Sequence, residues 1–288
     1  MEETKRIFVT GDEWLYYKLY CGARTADLIL TDTMKPFITS LQKKGWVDQW
    51  FFIRYQDPDF HLRIRFHLTD IKHIGEIILY FHQSIQSYVA DDIMYRVQTD
   101  TYIRELERYG KHTIELSEKL FHLESEMILQ AIDFIEDENV YFLFVLKAID
   151  QLLGHFRYEL TEKLDIVNRN RSAFWAEFEG DKYLTKQLDK KYRKVKKQLI
   201  EFLHSPYENG EYKILNQVLS HKLEESDMWV KTILNNLINI QEIQKDDLIT
   251  SYIHMLVNRA FRSKQRFYEL VCYDFLMKYY KNLMFQKQ

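Results

Sequence analysis

Three short segments hold residues able to grip an anion and move a proton. The first is FFIRYQDPDFHLRIRF, Phe51 to Phe66, in which His61, Arg63 and Arg65 alternate with Leu62, Ile64 and Phe66. On a strand this alternation puts the imidazole and both guanidinium groups on one face and the apolar set on the other. Cations in a row repel one another, so such a face is either solvated or opposed by an anionic partner. The second segment is TYIRELERYG, Thr101 to Gly110. There Glu105 and Arg108 stand three apart and pair if the chain makes a helical turn. The third is SYIHMLVNRAF, Ser251 to Phe261, where a helix would set His254 and Asn258 on one face and Arg262 a turn further on. Each has a plainer reading too: a wet strand face, a surface ion pair, a structural histidine.

Other chemistries find no support. The chain contains no His-Glu-x-x-His pair, no phosphate-binding glycine loop and no Gly-x-Ser-x-Gly elbow. Asp57, Asp59 and His61 are metal-ligand types, but DPDF reads as a turn. Cys21 and Cys272 lack Cys-x-x-Cys spacing and read as small buried hydrophobes. No cofactor is therefore expected.

Elements must position these residues, and their composition suits long ones. Among 288 residues there are 20 Tyr and 19 Phe but only 8 Gly and 3 Pro, so turns are few. A net charge of −3 gives no general attraction to nucleic acid or membrane. With neither a signal-peptide pattern nor a long apolar run, a cytoplasmic protein without a membrane span is expected. The sequon at Asn170 then reads as chance. The basic run Lys186 to Gln198 reads as a solvated helix face or, alternatively, a contact for an anionic partner.

The pattern predicts a strand at Trp14 to Tyr20, then a helix over Arg24 to Lys43 that Thr25 caps, Pro36 interrupts and Gly45 ends. Strands follow at Val47 to Gln56 and His61 to Leu68. A second helix, capped by Thr69 or Asp70, reaches Tyr88, and a fourth strand lies in DDIMYRVQTDTY. The order βαββαβ is that of a ferredoxin-like split β-α-β unit, in which strands one and three are central and strand four pairs with strand one. After Gly110 the pattern becomes helical: His112 to Ile135, Val140 to Leu164, Lys182 to His204, Lys213 to Ile240 and Ile249 to Phe285. Leu116, Leu120, Leu123, Met127 and Ala131 form the apolar stripe of the first. The expected fold class is α+β, a ferredoxin-like N-terminal part over 1–110 with a large helical part over 111–288.

The three segments, with LFHLES in the helix after Gly110, resemble the C-terminal elimination domain of class I lanthipeptide (lantibiotic) dehydratases. Free-standing proteins of the thiopeptide-type bacteriocin biosynthesis family carry the same domain. The similarity runs from WLYYKLY to the last helix and implies that both parts pack as one elimination domain. It implies loss of glutamate from a glutamylated Ser or Thr of a ribosomal precursor peptide, leaving dehydroalanine or dehydrobutyrine. By motif position the family's catalytic residues fall on Arg65, Arg108, Glu105 and His254. Arg63, His61, Asn258 and Arg259 fall at substrate-binding positions, whereas nothing requires Arg54 there. The implied partners are a precursor peptide, a separate tRNA-dependent glutamylating dehydratase subunit and a cyclase; a homodimer is also compatible. One departure stands out: the family pattern Arg-Tyr-Gly-Gly is here Arg108-Tyr109-Gly110-Lys111. Two other roles remain on the same scaffold. One is a pyridine synthase joining two dehydroalanines; the other is a non-catalytic subunit that binds the precursor peptide.

Overall fold

The computed structural model describes residues 4–206 and 210–286. It divides into two compact units. One holds the chain up to Asp133 together with Asn236–Ile243, and the other holds Phe134–Asn235 with the chain from Gln244 onward.

The first unit is built on a four-stranded antiparallel sheet. Its strands are β2 (Trp14–Cys21), β3 (Val47–Gln56), β4 (Phe60–Leu68) and β5 (Met94–Thr99), in the order β3-β4-β2-β5. A two-stranded ribbon pairs β1 (Ile7–Phe8) with β6 (Tyr102–Ile103), short strands that the apolar pattern does not reveal. Central β2 is covered on both faces, which is why WLYYKLY shows no clean alternation. Leu15, Tyr17, Leu19, Leu62, Ile64 and Phe66 form one of those faces, packed by Phe37 and Phe81 from the helices. Arg54 shares that face. It is buried against Asp27, with Nη2 2.5 Å from the carboxylate.

The segment expected as one interrupted helix is continuous: α1 (Thr25–Leu28), a π-helical turn (Ile29–Met34) and α2 (Lys35–Lys43). The wider turn carries the chain into Pro36, which has no N–H to offer a regular ladder. Thr25 does not cap it; Arg24 holds the cap position, with no side-chain cap bond. Gly45, at φ +67°, closes α2 as its amide bonds back to Gln42 and that of Trp46 to Leu41. Asp70 accepts from the Lys72 amide and starts the turn leading into α3 (Ile74–Ala90).

After the short α4 (Leu106–Tyr109) comes α5 (Ile114–Phe134), which buries Leu120, Met127 and Ala131 of the predicted stripe but extends its buried face to polar residues. Leu116 and Leu123 are half-buried, while Ser117, Glu118, Glu124 and Ser125 are buried. These polar groups have work at the sheet. Ser125 accepts the Phe52 amide at 3.3 Å, and His122 Nδ1 meets the Trp50 amide at 3.4 Å, along the outer side of β3.

The second unit is helical: α6 (Glu138–His155), α7 (Leu160–Glu177), α8 (Lys182–Leu203), most of α9 (Lys213–Asn239), α10 (Lys245–Ala260) and α11 (Gln265–Gln286). Two expected helices are each broken. Val140 to Leu164 turns at Arg157 (φ +59°) and restarts with a capping box between Glu159 and Glu162. Ile249 to Phe285 breaks at extended Phe261 and at Lys264 (φ +55°). Neither break has a Gly or Pro at the turning residue, so the apolar period runs through both. The basic run on α8 is a solvated face; Leu188, Tyr192, Leu199 and Phe202 supply the buried stripe. Asn170 is buried and donates to Thr250 Oγ1. Among the described residues no helix is long and apolar enough to cross a membrane.

Removing one member of a buried ion pair leaves an uncompensated charge. Asp27→Ala is expected to destabilise the sheet unit by about 3–5 kcal/mol. The check is a shift in urea midpoint with unchanged m value.

Candidate functional site

The polar face of the sheet is covered at His61 and Arg65 and opens to solvent at Tyr55 and Arg96. Strand register lines up Tyr16 with Arg65, Lys18 with Arg63 and Tyr20 with His61, while β3 adds Phe51 and Tyr55 and β5 adds Arg96. His61 is fully buried and Arg65 is 8% exposed. The Arg65 guanidinium carbon sits 4.3 Å from the Tyr16 ring centre, 4.7 Å from Tyr102 and 5.1 Å from Phe51. Aromatic faces thus stabilise its charge in place of water. Phe121 of α5 packs edge-on to Phe51 behind it.

Among the described residues neither Arg63 nor Arg65 has a carboxylate partner, and Arg65 Nε and the Tyr16 hydroxyl are buried without hydrogen bonds. Lys18 is different, being paired with Asp100. Burial raises the Tyr16 phenol above its ordinary range against the pull of Arg65, Arg63 and Lys18, so it remains a neutral donor. Tyr16 was missing from the sequence-level candidates. Its signal was its place in an alternating strand, usable only once the register with Arg65 is known.

His61 is fixed at both nitrogens. Arg63 Nε donates to Nε2 at 3.1 Å, so Nδ1 carries the proton and donates to the Asp59 carbonyl at 2.9 Å. Arg63 in turn lies 3.4 Å over the Tyr55 ring. His61 therefore holds Arg63 as a hydrogen-bond acceptor within the protein.

The Glu105–Arg108 pair forms as the spacing predicted, at 3.1 Å and well exposed. Its position is set just upstream. Tyr102 lies on Arg65, and Arg104 is locked bidentately to buried Glu118 at 2.8 and 2.7 Å. Tyr102 also donates to Glu118, at 2.6 Å. The site segment thus hangs from a carboxylate on α5 that periodicity had no reason to bury. Gly110 follows at φ +71°, and a Cβ there would come 2.9 Å from Thr113 Oγ1. Lys111 keeps negative φ, its amide donates to Glu242 and its side chain is exposed. The departure at this position therefore leaves the loop's backbone in a conformation open to any L residue.

In the helical unit, His254 Nδ1 lies 2.8 Å from Oε2 of Glu269 on α11, a carboxylate 1% exposed. Asn258 lies one turn further along α10 and is half-buried. Arg259 is fully buried, inside the unit instead of on its surface, and Arg262 falls beyond the end of α10. Arg65, Glu105 and Arg108 belong to the first unit, and His254, Asn258 and Arg259 to the second. Among the described residues no group of three His, Cys, Asp or Glu side chains is arranged to hold a metal ion.

Burial holds His61 below its ordinary pKa, as do Arg63, Lys18 and Arg96 nearby. An unfolded histidine titrates near 6.5. The stabilising contribution is thus complete above that pH and is lost as pH falls from there through the lower folded value. Urea melts at pH 7.5 and 5.5 should show the wild type losing more stability on acidification than His61→Gln.

Comparison with known proteins agrees with this architecture. The family model described as lantibiotic biosynthesis dehydratase C-term matches residues 14–280. Epidermin biosynthesis protein EpiB of Staphylococcus epidermidis is 24% identical over 257 residues, covering 86% of this chain and 24% of EpiB. Nisin biosynthesis protein NisB of Lactococcus lactis subsp. lactis is 32% identical over 130 residues, 44% of this chain and 12% of NisB. The chain thus spans no more than a quarter of these relatives. Two solved structures share the fold. The tRNA-dependent lantibiotic dehydratase MibB from Microbispora sp. 107891 matches with TM-score 0.70 and 18% identity, over 98% of this chain and 29% of MibB. The pyridine synthase TbtD from thiomuracin biosynthesis matches with TM-score 0.70 and 12% identity, over 94% of this chain and all of TbtD. With the family model running from the first sheet strand nearly to the end of the last helix, the chain belongs to the lantibiotic biosynthesis dehydratase C-terminal family.

Proposed function

We propose that this protein is a lyase that eliminates glutamate from glutamylated Ser or Thr residues of a ribosomal precursor peptide, giving dehydroalanine or dehydrobutyrine. The reading has it acting in the cytoplasm as one elimination domain, its sheet a ferredoxin-like split β-α-β unit. A separate tRNA-dependent subunit supplies the ester, and a cyclase consumes the product. The observation that carries the proposal is Arg65, a buried guanidinium caged by aromatic rings with no carboxylate partner among the described residues. Family membership supports it.

The chemistry asks for what these side chains supply. Elimination removes a weakly acidic Cα proton and expels a carboxylate, so it needs a proton acceptor and cations for the developing charge. Arginine grips carboxylates bidentately and never gives up its own charge. In this reading Arg65 and Arg63 bind the departing glutamate, with His61 holding Arg63. Arg108, steadied by Glu105, neutralises charge on the reacting ester, and His254 transfers the proton. Asn258 lies near His254 in sequence and binds peptide. Arg259, the next residue on α10 and buried as His61 and Arg65 are, binds peptide with it in this reading.

One observation favours a second reading: the fold likeness covers the whole of a pyridine synthase. That enzyme class joins two dehydroalanines and has no departing glutamate to bind.

The purified protein should release glutamate from a glutamylated precursor peptide without tRNA or ATP, followed by mass spectrometry. Arg65→Ala and Arg108→Ala should each slow that release by about a hundred-fold or more and leave the ester intact. Ester surviving the folded wild type would overturn the proposal. Conversion of a peptide bearing two dehydroalanines would establish the pyridine synthase reading instead. Binding of peptide without either conversion would mark a precursor-binding subunit.

A further inference from the structure

We propose that Glu269 is a positioning residue that fixes His254 in the tautomer protonated on Nδ1, leaving the Nε2 lone pair to take the substrate proton. For the reaction this rests on the elimination reading above; for the tautomer it stands alone. His254 projects from α10, and Glu269 sits on the first turns of α11. Glu269 Oε2 lies 2.8 Å from Nδ1, and its Oε1 accepts from the Tyr273 hydroxyl at 3.2 Å. Both carboxylate oxygens are therefore engaged as acceptors.

An ionised carboxylate accepts and does not donate, so Nδ1 must carry the hydrogen whenever the ring is neutral. Arg266, one turn back on α11, is held by Glu177 of α7, and its charge is stabilised first by Glu177 and also by Glu269. Burial pushes the Tyr273 phenol well up, reinforced by Glu269, so it stays a neutral donor to that carboxylate. His254 is partly exposed while Glu269 is 1% exposed, so the contact fixes the ring from its buried side. Among the described residues Nε2 has no hydrogen-bond partner.

A buried carboxylate behind an imidazole sets the tautomer and stabilises the imidazolium formed when the outer nitrogen is protonated. In the elimination, Nε2 takes the Cα proton and the C–H electron pair becomes the Cα=Cβ bond. The Cβ–O pair then departs on the glutamate carboxylate. Glu269 lies outside all three segments that the sequence singled out, because it pairs with His254 across the helix break at Phe261 to Lys264.

The test has two independent readouts. Long-range 1H–15N spectra of labelled protein, with His254 assigned by its loss in His254→Gln, should show the Nδ1–H form in the wild type. Glu269→Gln, whose amide can donate to Nδ1, should move it toward the Nε2–H form. In glutamate release, Glu269→Gln should lower kcat by about a hundred-fold while KM stays within about two-fold, and Glu269→Asp should recover part of the loss. A wild-type ring in the Nε2–H form overturns the proposal, and needs no variant to fold. So does a folded Glu269→Gln protein with unchanged tautomer or unchanged kcat. If the wild type releases no glutamate, the elimination reading falls, and the spectra alone decide whether Glu269 holds the ring.

Discussion

A guanidinium taken out of water without a carboxylate must be stabilised by something else, and most of the first unit is arranged around that requirement. Arg65 has ring faces on three sides, from Tyr16, Phe51 and Tyr102. Each ring comes from a different strand: β2 and β3 of the sheet, and β6 of the ribbon. The ribbon is kept there by Glu118, which binds Tyr102 and Arg104 together. A neutralising carboxylate at Arg65 would stabilise the sheet more simply and would also close the cation to any anionic ligand. Aromatic support stabilises the charge without occupying its N–H donors, and Nε is buried with no hydrogen-bond partner.

The strands were legible because their constraints are local. Alternation assigned His61, Arg63 and Arg65 to one side, and the observed register keeps them there. Whether that side met water was not legible, because the covering helix α5 buries Ser117, Glu118, Glu124 and Ser125 in addition to its apolar groups. Those residues satisfy polar partners far away in sequence, a condition hydrophobic periodicity cannot express. The two-residue strands β1 and β6 are too short to show a period at all.

The helical unit shows the opposite failure. Periodicity found most of its helices, left α7 unassigned beyond Leu164, and ran straight through two breaks, at Arg157 and at Lys264, where ordinary residues adopt left-handed backbone. The second break matters for the candidate site. It folds α11 back so that Glu269 reaches His254, a pairing that a single continuous helix from Ile249 would not allow at fifteen residues' separation. Lys147 is a comparable case of a polar group placed by tertiary demand. Burial lowers it to about 8, yet it donates to the Phe202 and Ser205 carbonyls and to Asn216, closing the end of α8.

The side chains of His122 and Ser125 along β3 also bear on association between molecules. A sheet edge with free amides and carbonyls is a template onto which another extended chain can add, whether a neighbouring copy or an unfolded segment. Here the Phe52 amide of β3 is already taken by Ser125 of α5, and His122 Nδ1 sits against the Trp50 peptide, 3.4 Å from its amide and 3.1 Å from its carbonyl. Strand-to-strand growth of this sheet is therefore directed to its other margin, Met94–Thr99, and stacking of sheets through both edges into an open-ended array is blocked on one side by a helix.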